Sequence, residues 1–389
     1  ILEEENQRGL AHFLEHMAFN GTTNLPGMTL RNYLQNRGVK FGENLNAYTA
    51  IDETVYNISN VQTDIPGLVD TCLLILHDWS SFIALEEEEI DNERGVILEE
   101  ERTRNNANMR IMKTLLPRMY PGSPYGERLP IGLTEVIANF SYQDLRDYYN
   151  KWYRPDLQGI IIVGDIDVDA IEARIKEMFA DIPAPVNPAE RTQFMIDDNT
   201  EPIVAVATDP ELTSISLQMF YKHDAIPTEF RNTSEYWMSQ YVLSLISQMQ
   251  INRLQELTQK PNPPFISGYS YYGNYYLAPT KDAWTSYAVP KNADGIEEAL
   301  TALVTENKRM QQYGFTASEY ERAKADFMKS IESAYNERNN TENEKYVNAY
   351  VEHFLNNEPM MDIETEYQLY QQVIPALPLE AINAFAAQL

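Results

Sequence analysis

A single cysteine, Cys72, stands in 389 residues. No intrachain disulfide can form and no thiolate cluster can hold a metal. The flanking Leu73, Leu74 and Ile75 point to a buried free thiol. Basic residues are scarce too: 30 Lys and Arg against 58 Asp and Glu leave a formal net charge of −28. That excess argues against a nucleic-acid partner, since phosphate backbones are gripped by clustered cations, and it disfavours an anionic membrane surface. No apolar run approaches the roughly 18 residues that suggest a bilayer-spanning helix, so no membrane span is expected. Histidine is rare, with five in all: His12, His16, His77, His223 and His353.

What is present is enough for real cores, with 43% hydrophobic residues. The length predicts two large domains or three small ones. Helical spacing of Leu10, Phe13, Leu14 and Met17 marks a short helix, and residues 29–36 a second. Residues 46–58 read as one long strand or two joined near Ile51 and Asp52, and 65–81 as an apolar helix. Residues 86–116 read as one helix, or two kinked near Gly95; 141–152 form a helix whose Ser141 and Asp144 make a capping box. Residues 157–163 read as a strand, and a linker follows Pro183. Beyond Thr192, strands are expected at 202–207, 214–221, 265–276 and 282–289, with long helices at 236–258, 294–311, 316–337 and 341–354. The fold class is therefore α+β, in two related layered domains, each a mostly antiparallel sheet packed on long helices. Their expected extents are 1–185 and 192–389, the first missing an upstream strand. The chain opens at Ile1 and Leu2 without methionine or basic leader, so a removed signal or a fragment is expected, with a periplasmic or other extracytoplasmic bacterial location.

The chemistry concentrates in the first helix. His12 and His16 lie about 40° apart around it, and Glu15 about 60° behind His12, on one broad face of an otherwise apolar run. Burying three ionisable groups without a partner is costly. Two imidazoles at this spacing can reach one zinc ion while the carboxylate between them handles a water. A pair of surface histidines is the alternative. A third ligand is best sought around residues 93–100, where Glu93 and Glu100 share a helix face within about 20°. Glu99 and Glu101 point about 100° to either side. His77 competes as a ligand, or is a satisfied core histidine.

The order His12-Phe13-Leu14-Glu15-His16 is that of the inverted zincins. Together with Asn46-Ala47-Tyr48-Thr49, Glu93 to Glu100, Trp152-Tyr153-Arg154-Pro155-Asp156 and Val163-Gly164-Asp165, it closely resembles the pitrilysin/insulinase family, which includes the mitochondrial processing peptidases. The resemblance covers residues 9–183 strongly and the remainder more weakly. It implies a zinc metalloendopeptidase of the processing-peptidase and LuxS-like metallohydrolase fold. It implies one Zn2+ held by His12, His16 and Glu100, Glu15 as catalytic base, and Glu93 supporting the site. Asn46, Ala47 and Tyr48 match a strand that pairs with substrate, and Phe19 an aromatic near it. The distance from His16 to Glu100 is longer than the family's usual spacing, which keeps Glu99 open as a ligand.

Larger family members enclose a chamber with four homologous domains, and this chain corresponds to the first two. The family's Arg and Tyr opposite the zinc have no counterpart here, so a C-terminal half or a partner subunit is expected to supply that wall. The expected substrate is an extended, unstructured peptide, with basic ones favoured if the acidic charge steers them. Two other readings are a non-catalytic peptide-binding or scaffold homologue, marked by a broken motif, and a structural metal, marked by a fourth protein ligand.

Overall fold

The computed structural model describes all 389 residues. The chain divides into two compact units, Ile1–Phe194 with Glu201–Pro210, and Met195–Thr200 with Glu211–Leu389.

Unit one contains α1 (Leu10–Met17), α2 (Thr29–Gln35), β1 (Leu45–Thr49), β2 (Thr54–Ile58), α3 (Leu68–Ser81), α4 (Glu87–Arg104), α5 (Ala107–Met119), α6 (Thr134–Asn139), α7 (Tyr142–Trp152) and α8 (Val168–Met178). β1 and β2 pair antiparallel, Ala47 opposite Tyr56 and Thr49 opposite Thr54. The tip closes where Ala50 N–H donates to the Glu53 carbonyl at 2.9 Å. Leu10, Phe13, Leu14 and Met17 of α1 are buried with Leu30, Ile75, Ile90, Ile97 and Leu145. Each such side chain contributes about 1.5–3 kcal/mol by leaving water. Cys72 is buried in this core, which pushes its thiol up to about 11.

Three local expectations differ from what forms. Gly95 sits inside an unbroken α4, and the break falls at Asn105 and Asn106, where the Asn106 side chain accepts from Met109 N–H at 3.1 Å and caps α5. An Asn N-cap starts a new helix readily, whereas a mid-helix glycine costs only about 1 kcal/mol. Residues 157–163 and 202–207 form no β-ladder. β-Propensity makes a strand only where a partner takes the backbone groups. In the second segment Val204 is 79% exposed, and the Val206 carbonyl accepts instead from Arg118 Nη1 at 2.9 Å. The expected capping box does form, Ser141 N–H donating to the Asp144 carboxylate at 2.8 Å.

Unit two carries β3 (Leu217–Asp224), α9 (Ser234–Thr258), β4 (Ser267–Tyr275), β5 (Ala278–Val289), α10 (Ile296–Tyr313), α11 (Ala317–Asn336), α12 (Asn343–Asn356), α13 (Ile363–Val373) and α14 (Leu379–Ala386). Its antiparallel sheet has the order β3-β5-β4, and α9 packs on β4. Trp284 of β5 is fully buried with Tyr241, Ile246, Met310 and Ile382. α6 and α13 lie where the sequence reading places no helix. Both units are thus α+β layers of antiparallel strands and helices.

One ion pair in unit two, between a buried arginine and a half-buried glutamate, makes its stability sensitive to acid. Arg253 Nε lies 2.5 Å from Glu319 Oε1, and its guanidinium also covers the Phe315 ring. Burial opposes the Glu319 charge, but Arg253 and the Thr316 N–H and hydroxyl outweigh it and hold the carboxyl down at about 2. A depressed carboxyl stabilises the fold above its unfolded value near 4.5, and that contribution disappears as pH falls toward about 2. Glu319→Gln is expected to destabilise unit two by roughly 1–2 kcal/mol at pH 7, with the deficit shrinking below about pH 4. Urea unfolding of both proteins across that range measures it.

Candidate metal centre and active site

The helix carrying the two histidines is held at both ends. Gly9 (φ +107°) precedes it, and a Cβ there would meet Gly132 Cα at 2.9 Å, so two backbones cross where only glycine fits. The buried Glu3 carboxylate accepts from Gly9 N–H at 3.0 Å and Ala11 N–H at 2.9 Å, satisfying donors that the first turn leaves open. At the other end Trp79 Nε1 donates to the Ala18 carbonyl at 2.7 Å.

α1 therefore presents His12, Glu15 and His16 from a fixed frame, and α4 brings Glu100 to them. Ligand atoms of His12, His16 and Glu100 all lie within 4.8 Å of one another. Glu100 Oε2 is 3.7 Å from His12 Nε2 and 3.3 Å from His16 Nε2. The other Glu100 oxygen meets an Arg104 nitrogen at 2.8 Å. Glu93, seven residues earlier, lies 2.7 Å from His16 Nδ1 and accepts from Asn20 Nδ2 at 2.6 Å. That contact orients the ring so that Nε2 faces Glu100. Glu99 points away, 58% exposed and paired with Arg102 at 2.6 Å. His77 takes no part: its nitrogens meet Asp78 at 3.1 Å and Asp181 at 2.9 Å, and its ring stacks on Phe82.

The donor set fits a divalent cation. Burial drives His12 down to about 3, so its imidazole is neutral, as a ligand must be. Its Nε2 is the nitrogen turned toward Glu100 and so the one available to a cation, while its Nδ1 is buried without a hydrogen-bond partner. Burial also disfavours a charged His16, yet the Glu93 hydrogen bond and the charges of Glu93, Glu100 and Glu15 raise it overall. The carboxylates thus draw a positive charge to this spot, which a cation satisfies. Zinc held by these three side chains would lack the fourth protein ligand that a closed structural zinc shell has.

Glu15 stands beside this cluster, buried, its carboxyl raised chiefly by desolvation. The Thr49 hydroxyl donates to Glu15 Oε2 at 2.6 Å and lies 3.3 Å from the Thr54 hydroxyl. The sequence assigns no role to Thr49, Asn20 or Arg104; Thr49 carries the one available signal, its place beside Asn46, Ala47 and Tyr48. Asn46 and Tyr48 are exposed on β1 and Ala47 is half-buried. β1 pairs with β2 along its length, and on its second edge only Leu45 is engaged, in an isolated bridge to Phe41, so no strand covers the rest of that edge. Phe19 is buried against Trp79, Tyr56 and Phe41, and of these rings Phe41 is the exposed one.

A family model for insulinase (peptidase family M16) matches residues 1–129, and one for the peptidase M16 inactive domain matches residues 139–327. The chain is 30% identical over 390 residues to the zinc protease PQQL-like of Arabidopsis thaliana, covering 100% of this chain and 37% of that protein. It is 30% identical over 382 residues to the probable zinc protease PqqL of Escherichia coli, covering 98% of this chain and 40% of the relative. The chain thus spans about 37–40% of the length of these curated relatives. The crystal structure of the first half of the periplasmic protease PqqL from Escherichia coli superposes with a TM-score of 0.85 at 28% identity, covering 100% of this chain and 81% of that one.

Proposed function

The chain belongs to the insulinase family, peptidase family M16, and we propose that it carries the zinc site of a metalloendopeptidase that hydrolyses extended, unstructured peptides. The observation that carries this reading is the convergence of His12, His16 and Glu100 beside a buried Glu15. His12, His16 and Glu100 hold one Zn2+, with Glu93 fixing the His16 ring. Zinc bound there supplies Lewis-acid activation of water and of the scissile carbonyl. Glu15 accepts the proton from the attacking water and returns it to the leaving amine. Its raised carboxyl suits that exchange, because a base that must also act as an acid works best near the operating pH. The test is metal analysis and peptide cleavage by the wild type and Glu15→Gln.

The open edge of β1 is suited to receive the substrate as an added strand, with Asn46, Ala47 and Tyr48 supplying its pairing surface and Phe19 backing it through Phe41. Backbone pairing needs no particular side-chain sequence, so specificity is broad. The first unit is the catalytic domain and the second a non-catalytic homologue. A C-terminal half or partner subunit supplies the opposite wall of a chamber, consistent with the share of its relatives that this chain spans. The Escherichia coli protease PqqL is described as periplasmic, and we extend an extracytoplasmic location to this chain. No helix is long and apolar enough to cross a membrane.

Thr49 positions the base. Hydrogen bonds to charged groups contribute about 1.5–3 kcal/mol, so Thr49→Val is expected to lower kcat about 10- to 100-fold with metal content unchanged. Thr49→Ser, which keeps the hydroxyl, is expected to recover most of that loss. Equal loss in both variants would assign Thr49 to packing.

A further inference from the structure

Arg31 of α2 is anomalous among the arginines of unit one. The others each meet a carboxylate or a backbone carbonyl, as with Arg104 on Glu100, Arg94 on the Ile137 carbonyl and Arg37 on the Tyr33 carbonyl. Arg31 has only a weak contact from Nη1 to Met28 Sδ at 3.8 Å, and its Nε is buried without a partner. In a chain of net charge −28, a guanidinium without an acidic partner is conspicuous.

Its position is fixed by stacking. The guanidinium carbon lies 3.8 Å above the centre of the Phe41 ring. Phe41 is 41% exposed, and its ring meets Phe19 edge-on at 5.5 Å. A guanidinium stacked through its face still points its N–H groups outward in its own plane, and with Nε buried it is the terminal Nη1 and Nη2 that can meet a carboxylate side by side. Glu93 is the nearby acid whose carboxyl Arg31 helps hold down, but it is already engaged by His16 and Asn20 and makes no ion pair with Arg31. Phe41 also lies where the chain enters β1: Leu45 N–H donates to the Lys40 carbonyl at 3.0 Å, and Gly42 N–H to the Leu45 carbonyl at 2.9 Å. A peptide paired along β1, advancing about 3.3 Å per residue, would run past this platform.

We propose that Arg31, presented on Phe41, is a specificity-determining residue that binds one carboxylate of the peptide lying along β1. The inference rests on the peptidase reading and deepens it. The carboxylate comes from an Asp or Glu side chain or from the substrate's C-terminus. The acidic surface repels such groups, but salt screens that repulsion beyond a Debye length of about 8 Å, whereas Arg31 acts at contact distance.

The test uses the full-length, zinc-loaded protein and matched fluorogenic peptides with one cleavage site. In one arm a single Glu, compared with Gln, is walked along the peptide; in the other, a free C-terminus is compared with an amide. The expected result is about a tenfold higher kcat/KM for the carboxylate form at one position. The arm that responds identifies the source. Arg31→Gln is expected to bring that ratio to about one, Arg31→Lys to keep part of it, and Arg31→Glu to invert it. If Arg31→Gln fails to fold, Phe41→Leu, which removes the platform and keeps the charge, must lower the same ratio. A wild-type ratio of one at every position, or a ratio unchanged by Arg31→Gln, overturns the inference while leaving the peptidase reading standing. Absence of cleavage of every peptide overturns both.

Discussion

Glu15→Gln is expected to bind zinc as the wild type does and to cleave peptides about 10²- to 10⁴-fold more slowly. The substitution changes almost no volume, and the amide oxygen can still accept from the Thr49 hydroxyl, which donates to Glu15 at 2.6 Å. None of the three metal donors is touched, since His12, His16 and Glu100 form the cluster without Glu15. What disappears is the capacity to take a proton from water and return it to the amine. Zinc content by atomic emission and single-turnover cleavage of a fluorogenic peptide separate the two effects. Cleavage at an undiminished rate would remove Glu15 as the base.

The second large effect is expected on metal affinity. Glu100 Oε2 is the carboxylate oxygen facing both imidazoles, at 3.7 and 3.3 Å. Glu100→Gln replaces a charged ligand with a weak neutral one between two histidines that carry no charge to offset the cation. Glu93→Gln removes only the group orienting His16, a type of loss that costs about 10- to 100-fold. Glu100→Gln should exceed that, and Glu99→Gln, at a side chain turned toward Arg102, should change nothing. Competition against a zinc-binding dye ranks the three. The reverse order for Glu99 and Glu100 would transfer the ligand role to Glu99.

The metal cluster is legible in the sequence because helical periodicity determines which faces are shared. Residues four apart on α1 and seven apart on α4 keep their azimuth whatever the tertiary fold does. Periodicity puts Glu93 and Glu100 on one face, and in the structure one lies beside His16 and the other faces both imidazoles. Thr49, Asn20 and Arg104 are not legible in this way, because their contacts join elements far apart in the chain. The unpaired Arg31 is visible only once the partners of every other arginine in unit one are known. The α+β class follows from the alternation of apolar patterns, but residues 157–163 and 202–207 show its limit: their composition suits a strand, and no partner strand stands beside them. The break between α4 and α5 is similar, since an Asn cap there outweighs the more conspicuous Gly95.

X-ray absorption at the zinc edge, combined with anomalous diffraction from crystals of the zinc-loaded protein, tests the central claim most directly. One zinc bound by His12, His16 and Glu100 at about 2.0–2.2 Å, with a remaining position filled by solvent, is the expected result. Zinc bound elsewhere, or closed by a fourth protein side chain, would contradict it.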